Sequence, residues 1–560
     1  MNDIFTLRPE QQKALDEIIN EFENNDTKNI ILDAPTGSGK SIIAMYLSNY
    51  FFLKQAKKGY ILTSNLGLQD QYTEDFKKFN QLNFVSLKGN DNYLCDVTGT
   101  SVKNGYCNNH KITGMERKNL PCYANCHYYN LRELAIKSPV ALLNYSYWLV
   151  QKNYVGIRHQ LFPFRKRDFI IFDEAHNIDM ILHNHFLCFI DGNIDQKLSS
   201  LYLIFKKYGL HFKEQYHIKD YNMLRRYQDQ SEHIKKLHDL YDSFSEIRAN
   251  CNRIKMIYKL NANHKKPHIS EEIKKEIETI NYFLDMLCKM EDFLDFIVDP
   301  NKINNVVVSK TETSINYSSI DTKRYFSLFL NRHCPPIRLF MSATWGNNFD
   351  LIMQSYSINK EKTKIIKIDP GWNYERSPIF FIKNSGEMNW KNKEKSIKGN
   401  TKILEKIVEH HKGENGVIHT VNYEIMNFIK NNLDNKRFIY YNNSKEKEIA
   451  INRFYQTGGV LVGPSHFEGL NFTDGQSRFQ IIMKVPYLTL GDNFIMEKSK
   501  LNPLWYNWKT YVTLIQGIGR SIRHRDDYAT TYIIDGSFNK FIDLNGAFFS
   551  QNIKDRLQIV

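Results

Sequence analysis

Asn29-Ile-Ile-Leu-Asp-Ala-Pro-Thr-Gly-Ser-Gly-Lys-Ser-Ile-Ile-Ala44 decides the fold. A short apolar run (Asn29–Leu32) passes into a loop, Ala34 to Ser41, and then into an apolar helix pattern at Ile42, Ile43, Met45 and Tyr46. Strand, glycine-bearing loop and helix, in that order, make a phosphate cradle. Ala34, Pro35 and Thr36 lead into the turn. Gly37 and Gly39, on either side of Ser38, let backbone N–H groups face phosphate oxygens. Lys40 neutralises β/γ charge, and Ser41 offers a hydroxyl to Mg²⁺. The strict pattern has glycine at the first position, where this chain has Ala34.

Similar short runs recur at Tyr60–Thr63, Phe169–Phe172 and Ile337–Met341, and again at Val417–Thr420, Val460–Val462, Phe479–Val485 and Tyr532–Ile534. Amphipathic stretches separate many of them. The alternation predicts an α/β chain with two parallel sheets, each carrying its ligand loops at the carboxyl ends of strands. Residues 186–325 break the pattern. Ile273, Ile277, Ile280, Leu284, Leu287 and Leu294 follow a helical period from Glu271 to Val298, with Pro300 as the stop. A helical insert is expected, basic over 205–270 and acidic over 271–300.

At 560 residues the chain is too long for one core, and its 42% hydrophobic and 13% aromatic content is that of a globular protein. The net charge of +14 favours a polyanionic partner. Neither a secretory leader pattern nor an apolar run of membrane-spanning length occurs, so a soluble, intracellular (cytoplasmic) protein with reduced thiols is expected.

Asp173 and Glu174 close the apolar run Phe169–Phe172. After a phosphate loop, that position assigns Asp173 to Mg²⁺ and Glu174 to the attacking water, with His176 sensing the γ-phosphate and signalling to the other sheet. In Gln516-Gly-Ile-Gly-Arg-Ser-Ile-Arg523, Arg520 and Arg523 are three apart. On a helix they share a face, and two guanidinium groups late in a second α/β unit suit fingers that stabilise phosphoryl-transfer charge.

Between the phosphate loop and Asp173 lie Cys95-x11-Cys107-x14-Cys122-x3-Cys126. Four clustered thiols suit tetrahedral Zn²⁺ or an iron–sulfur cluster, and the spacing alone does not choose. His110 or His127 is an alternative ligand. Tyr93, Tyr106, Tyr123, Tyr128 and Tyr129 crowd the same region, for base stacking or for core packing. The other cysteines (Cys188, Cys251, Cys288, Cys334) are scattered and read as small apolar residues.

The chain resembles the XPD/DinG-like branch of superfamily 2 helicases. The resemblance rests on Arg8-Pro-Glu-Gln11, Ala34–Ser41, Thr63-Ser-Asn-Leu-Gly-Leu-Gln69, Asn144-Tyr145, Asp173-Glu-Ala-His-Asn-Ile178, Ser342-Ala-Thr344, Glu468-Gly-Leu-Asn-Phe472 and Gln516–Arg523. It implies two RecA-like parallel-sheet motor domains, with an iron–sulfur insert and a helical arch insert in the first. The expected bounds are 1–90, 140–185 and 326–348 for the first motor, 91–139 for the [4Fe–4S] domain held by Cys95, Cys107, Cys122 and Cys126, 186–325 for the arch, and 349–560 for the second motor. It further implies ATP and Mg²⁺ as cofactors, Gln11 on the adenine, and Glu468 and Gly469 near the ATP–DNA coupling segment. By the same likeness a monomer moves 5′→3′ on single-stranded DNA and opens tailed or forked duplexes. This chain departs from the family pattern at Asn471, at Gly536-Ser537 after Asp535, and across Val417–Tyr423. The competing readings are an RNA helicase or nucleoprotein remodeller, against which the cysteine insert argues, and a DNA-binding scaffold with a weak motor, against which Lys40, Glu174, Arg520 and Arg523 argue.

Overall fold

The computed structural model describes residues 6–77, 84–109, 117–156, 164, 166–211, 230–261, 271–296, 305–311, 314–369, 374–464, 472, 474–522 and 527–560. The amino-terminal half supplies β1 (Asn29–Asp33), β2 (Gly59–Thr63), β3 (Phe84–Ser86), β4 (Val140–Asn144) and β5 (Phe169–Phe172). An insert follows with β6 (Cys188–Asp191), β7 (Val306–Lys310) and β8 (Ser314–Ser319), and the chain returns through β9 (Ile337–Ser342) and β10 (Thr363–Lys367). The first sheet runs β10-β1-β9-β5-β2-β4-β3, all parallel. Both faces are covered: Ile30 and Leu32 pack on the side of the helices Pro9–Asn24 and Lys40–Gln55, while Ile31 faces the opposite core. That is why these strands read as unbroken apolar runs.

The second sheet holds β11 (Ile379–Phe381), β12 (Gly416–His419), β13 (Phe438–Ile439), β14 (Val460–Gly463), β15 (Phe479–Ile482), β16 (Thr530–Ile533) and β17 (Leu557–Ile559), in the order β13-β14-β12-β15-β16-β11-β17. It too is parallel throughout.

Three expectations need correction. The first sheet does not end before residue 349, because β10 pairs with β1 from Asn29↔Thr363 to Asp33↔Lys367. The insert is not wholly helical. Its long helix Glu271–Phe296 packs beside a three-stranded antiparallel sheet, β6-β8-β7, whose short strands carried no turn signal strong enough to mark them. Val298 and Pro300 lie outside the described residues. Finally, Arg520 is not on a helix: the helix Pro503–Ile518 ends before it, since Gly517 and Gly519 weaken the last turn. No helix among the described residues is long and apolar enough to cross a membrane.

Candidate active site and cysteine centre

The strand order sets β1, β9 and β5 side by side. Their carboxyl ends therefore deliver the phosphate loop, Ser342-Ala-Thr344 and Asp173–His176 to one place. The loop turns through Gly37 (φ +79°) and Gly39 (φ +81°), a region that costs other residues a steric penalty. A Cβ at 39 would also stand 2.2 Å from Gln11 Nε2 and displace that side chain from the loop. Gln11 is buried, donates to Ser38 O at 2.8 Å and accepts from Arg8 N at 2.9 Å, so it braces the loop from behind.

A cleft of 490 Å³ is lined by Thr36, Gly37, Gly39, Lys40, Ser41, Asp173 and Glu174 from the first sheet, and by Tyr455, Gln516, Gly519 and Arg520 from the second. The halves touch: a Cβ on Gly519 would lie 3.0 Å from Thr36 Oγ1. Ala34, Pro35 and Ser38 complete the loop. Glu468, Gly469, Asn471 and Arg523 lie outside the described residues.

Glu174 takes a left-handed backbone (φ +49°), a strain a non-glycine residue holds only where its surroundings fix it. Its carboxylate sits 3.6 Å from Lys40 Nζ and 3.4 Å from His176 Nδ1. Burial works to raise its pKa, but the positive charges of Lys40 and Arg520 oppose this, and it is held below the usual carboxylate range. Asp173 is pushed up to about 6 by burial and then by Glu174, with Lys40 opposing. A bound cation would reverse that balance. Tyr145 Oη donates to Asp173 O at 2.9 Å and pins the end of β5.

His176 is fully buried, and burial lowers its pKa to about 4, so its ring is neutral. Gln516 Nε2 lies 2.8 Å from His176 Nε2. An amide N–H donates there, which leaves the imidazole proton on Nδ1, facing Ser342 Oγ at 2.8 Å. Ser342 Oγ in turn accepts from Thr344 N at 3.0 Å. One neutral ring thus links the Glu174 carboxylate, the β9 end and the helix of the second unit.

Sequence reasoning missed a second bridge. Lys509 Nζ donates to His176 O at 2.7 Å and to Asp179 Oδ1 at 2.5 Å, while Trp505 Nε1 donates to Asp179 Oδ2 at 2.8 Å. Asp179, Lys509 and nearby Lys498 are each 5% exposed or less. Burial drives the Lys498 pKa down to about 7. A charged pair more than three hundred residues apart leaves no mark on local spacing.

Cys95, Cys107, Cys122 and Cys126 line one hollow, with Leu94, Val97, Val102, Leu120 and several tyrosines as its walls. Gly105 leaves room beside Cys95, since a Cβ there would stand 3.0 Å from its Sγ. Burial raises the Cys107 and Cys122 thiols; partial burial acts the same way on Cys95, yet hydrogen bonds centred on Thr98 hold it below its ordinary value. Arg117, stacked 4.3 Å from the centre of the Tyr129 ring, is the cation facing this hollow. A shared, largely apolar hollow with four thiols fits a thiolate-held centre. Among the described residues, however, no three cysteine, histidine or carboxylate groups are gathered as a ready ion site. Tyr106, Tyr128 and Tyr129 are buried, which makes them core rather than stacking surface. His127 meets the Tyr93 ring edge-on at 5.6 Å, and His110 lies outside the described residues.

Comparison with known proteins agrees with this geometry. Residues 404–555 match the helicase C-terminal domain family, and residues 4–184 match the type III restriction enzyme res subunit family. A probable ATP-dependent helicase of Methanocaldococcus jannaschii is 23% identical, over 96% of this chain and 92% of its own length. A homologue of regulator of telomere elongation helicase 1 from Caenorhabditis elegans matches locally, at 29% identity over 18% of this chain and 13% of that protein. In fold, the chain is similar to the S. tokodaii Xpd4 structure (TM-score 0.61, 14% identity, 99% of this chain and all of the other) and to an XPD helicase structure (TM-score 0.60, 16% identity, 99% and all).

Proposed function

Since the chain belongs to the XPD/DinG-like branch of superfamily 2 helicases and is an ATP-dependent helicase of that type, we propose that it moves 5′→3′ on single-stranded DNA and opens tailed or forked duplexes. The observation that carries the DNA reading is the four-thiol hollow inserted between β3 and β4 of the first motor. Cys95, Cys107, Cys122 and Cys126 would hold a [4Fe–4S] cluster there. When bound, the cluster would supply rigidity to a segment too small to gain it from its own core. A rigid wedge beside the strand is what duplex opening requires.

In the proposed cycle, ATP occupies the cleft with its phosphates on the N–H groups of Gly37–Ser41. Lys40 neutralises their charge, and Ser41 and Asp173 would hold Mg²⁺. Glu174, kept ionised by Lys40 and Arg520, orients and deprotonates water. Arg520 then answers the charge that develops on the γ-phosphate. Neutral His176 is proposed to report the state of that phosphate to Gln516.

The test is strand displacement with ATP and Mg²⁺ on duplexes bearing a 5′ or a 3′ tail, beside the iron content of protein purified without oxygen. The 5′-tailed duplex is expected to open, with about four irons per chain. A 3′ preference, or stoichiometric zinc without iron, overturns the corresponding part.

A further inference from the structure

Trp390 is 84% exposed, more than any other large apolar side chain among the described residues. An indole in solvent forgoes roughly 150–250 Å² of burial. Nothing forces this exposure through disorder, because the loop that carries Trp390 is pinned on both sides. Met388 is fully buried, and its N–H donates to Asp535 Oδ1 at 2.9 Å. Gly386 and Asn400 exchange two hydrogen bonds, at 2.7 and 2.9 Å. Asn389 Oδ1 accepts from Lys391 N and Asn392 N at 3.1 and 3.0 Å, closing the turn on which Trp390 stands.

Gly536, one of the departures from the family pattern, belongs to the same construction. A Cβ at 536 would lie 2.5 Å from Ser385 O, a backbone atom. Glycine therefore lets the Trp390 loop press onto the end of β16, where Asp535 also accepts from Val485 N at 2.8 Å and Ser537 N at 2.9 Å. One carboxylate ties together the loops that follow β11, β15 and β16.

The loop leaves the carboxyl end of β11, the edge where parallel sheets take their ligands. Arg520 precedes β16, so the ATP cleft lies toward the other end of this sheet. The segment that carries Trp390 is mainly cationic: Lys383, Lys391, Lys395 and Lys398 are exposed, against Glu387 and Glu394. Lys393 meets Glu424 at 2.6 Å, joining this loop to the start of the helix Tyr423–Asn432, where Tyr423 is 40% exposed. A protein partner would want a contiguous apolar patch. A lone rigid indole among lysines suits a planar base on an anionic backbone.

We propose that Trp390 is a base-stacking platform for single-stranded DNA on the second motor, with Lys383 and Lys391 on the adjoining phosphates. This rests on the DNA reading above. The full-length protein is titrated with labelled oligothymidylate and oligouridylate over a range of salt. Trp390→Ala is expected to weaken binding about 5- to 150-fold, the usual worth of one stacked base, with the salt slope unchanged. Trp390→Phe restores most of it. Lys391→Gln instead lowers the slope of log K against log salt by about 0.7. The tryptophan emission lost between wild type and Trp390→Phe is the part expected to be quenched by DNA. The same Trp390 dependence on both oligonucleotides supports stacking, since every base has a π face. If wild type binds oligothymidylate and Trp390→Ala matches it, the platform is wrong and the DNA reading stands. If wild type binds neither oligonucleotide, the DNA reading falls and the platform with it.

Discussion

Replacing Lys509 by methionine isolates the bridge between the two motors. Methionine keeps the length and apolar character of the stem while removing the ammonium. Two hydrogen bonds go, to His176 O and to Asp179 Oδ1. Asp179, 1% exposed, then keeps the Trp505 indole and the field of Lys498, whose own ammonium is bonded to Thr322 Oγ1 at 3.0 Å. Breaking one side of a buried ion pair costs about 3–5 kcal/mol. The pair spans the two units, so the cost falls on their closure. Taking about 3 kcal/mol, the closed-to-open ratio drops on the order of 100-fold, and the closed population falls with it wherever closure is not strongly favoured. In the closed arrangement Gln516 and Arg520 line the cleft. ATP turnover of Lys509→Met is therefore expected to fall on the order of 100-fold, with circular dichroism confirming that the fold survives. Asp179→Asn alone should also lose turnover, because Lys509 is then the buried unpaired charge. The double variant should recover much of the loss, giving a coupling of about 2–3 kcal/mol. Additive losses, or Lys509→Met turnover within threefold of wild type, refute the bridge.

Glu174→Gln is expected to bind ATP and hydrolyse it on the order of 10²-fold or more slowly, read by single-turnover kinetics; normal turnover removes its role as base. Lys40→Ala is expected to abolish hydrolysis while leaving oligonucleotide binding, measured by anisotropy, largely intact. Acid should loosen the fold from about pH 6.5 downward. Burial holds His176, His183 and His419 near 4, so between about 6.5 and 4 the unfolded chain binds more protons and stability drops as the pH is lowered. His183, whose Nδ1 is buried without a hydrogen-bond partner and whose ring stacks on Phe494 at 3.6 Å, can be replaced by phenylalanine to flatten that slope in urea titrations; an unchanged slope contradicts its buried neutral state.

Local chemistry made the phosphate loop and the acidic strand end legible, because each function there is carried by residues adjacent in the chain. Lys40 follows Gly39 for a backbone reason, and Glu174 follows β5 for a topological one. Long-range assembly was not legible. Asp179 reads as the first-turn acid of an ordinary helix, and Lys509 as one charge on an aromatic one; only folding reveals that they meet beneath His176. The arginine pair shows the opposite error. A three-residue spacing suggested one helical face, but spacing carries that meaning only inside a helix, and Gly517 with Gly519 ends the helix at Ile518. The short strands β6, β7 and β8 escaped notice for a related reason. Each is four to six residues long, and its place in the sheet is fixed by pairing across the insert, Cys188 with Tyr317 and Val306 with Ser319, rather than by its own pattern. Gly536 carries the same lesson to function. In the sequence it is a departure from a family pattern and no more. Its contact with Ser385 gives it a positive reason: the backbone of the Trp390 loop occupies the space a side chain would need. A motif's missing side chain can thus mark the place where a chain has built something else.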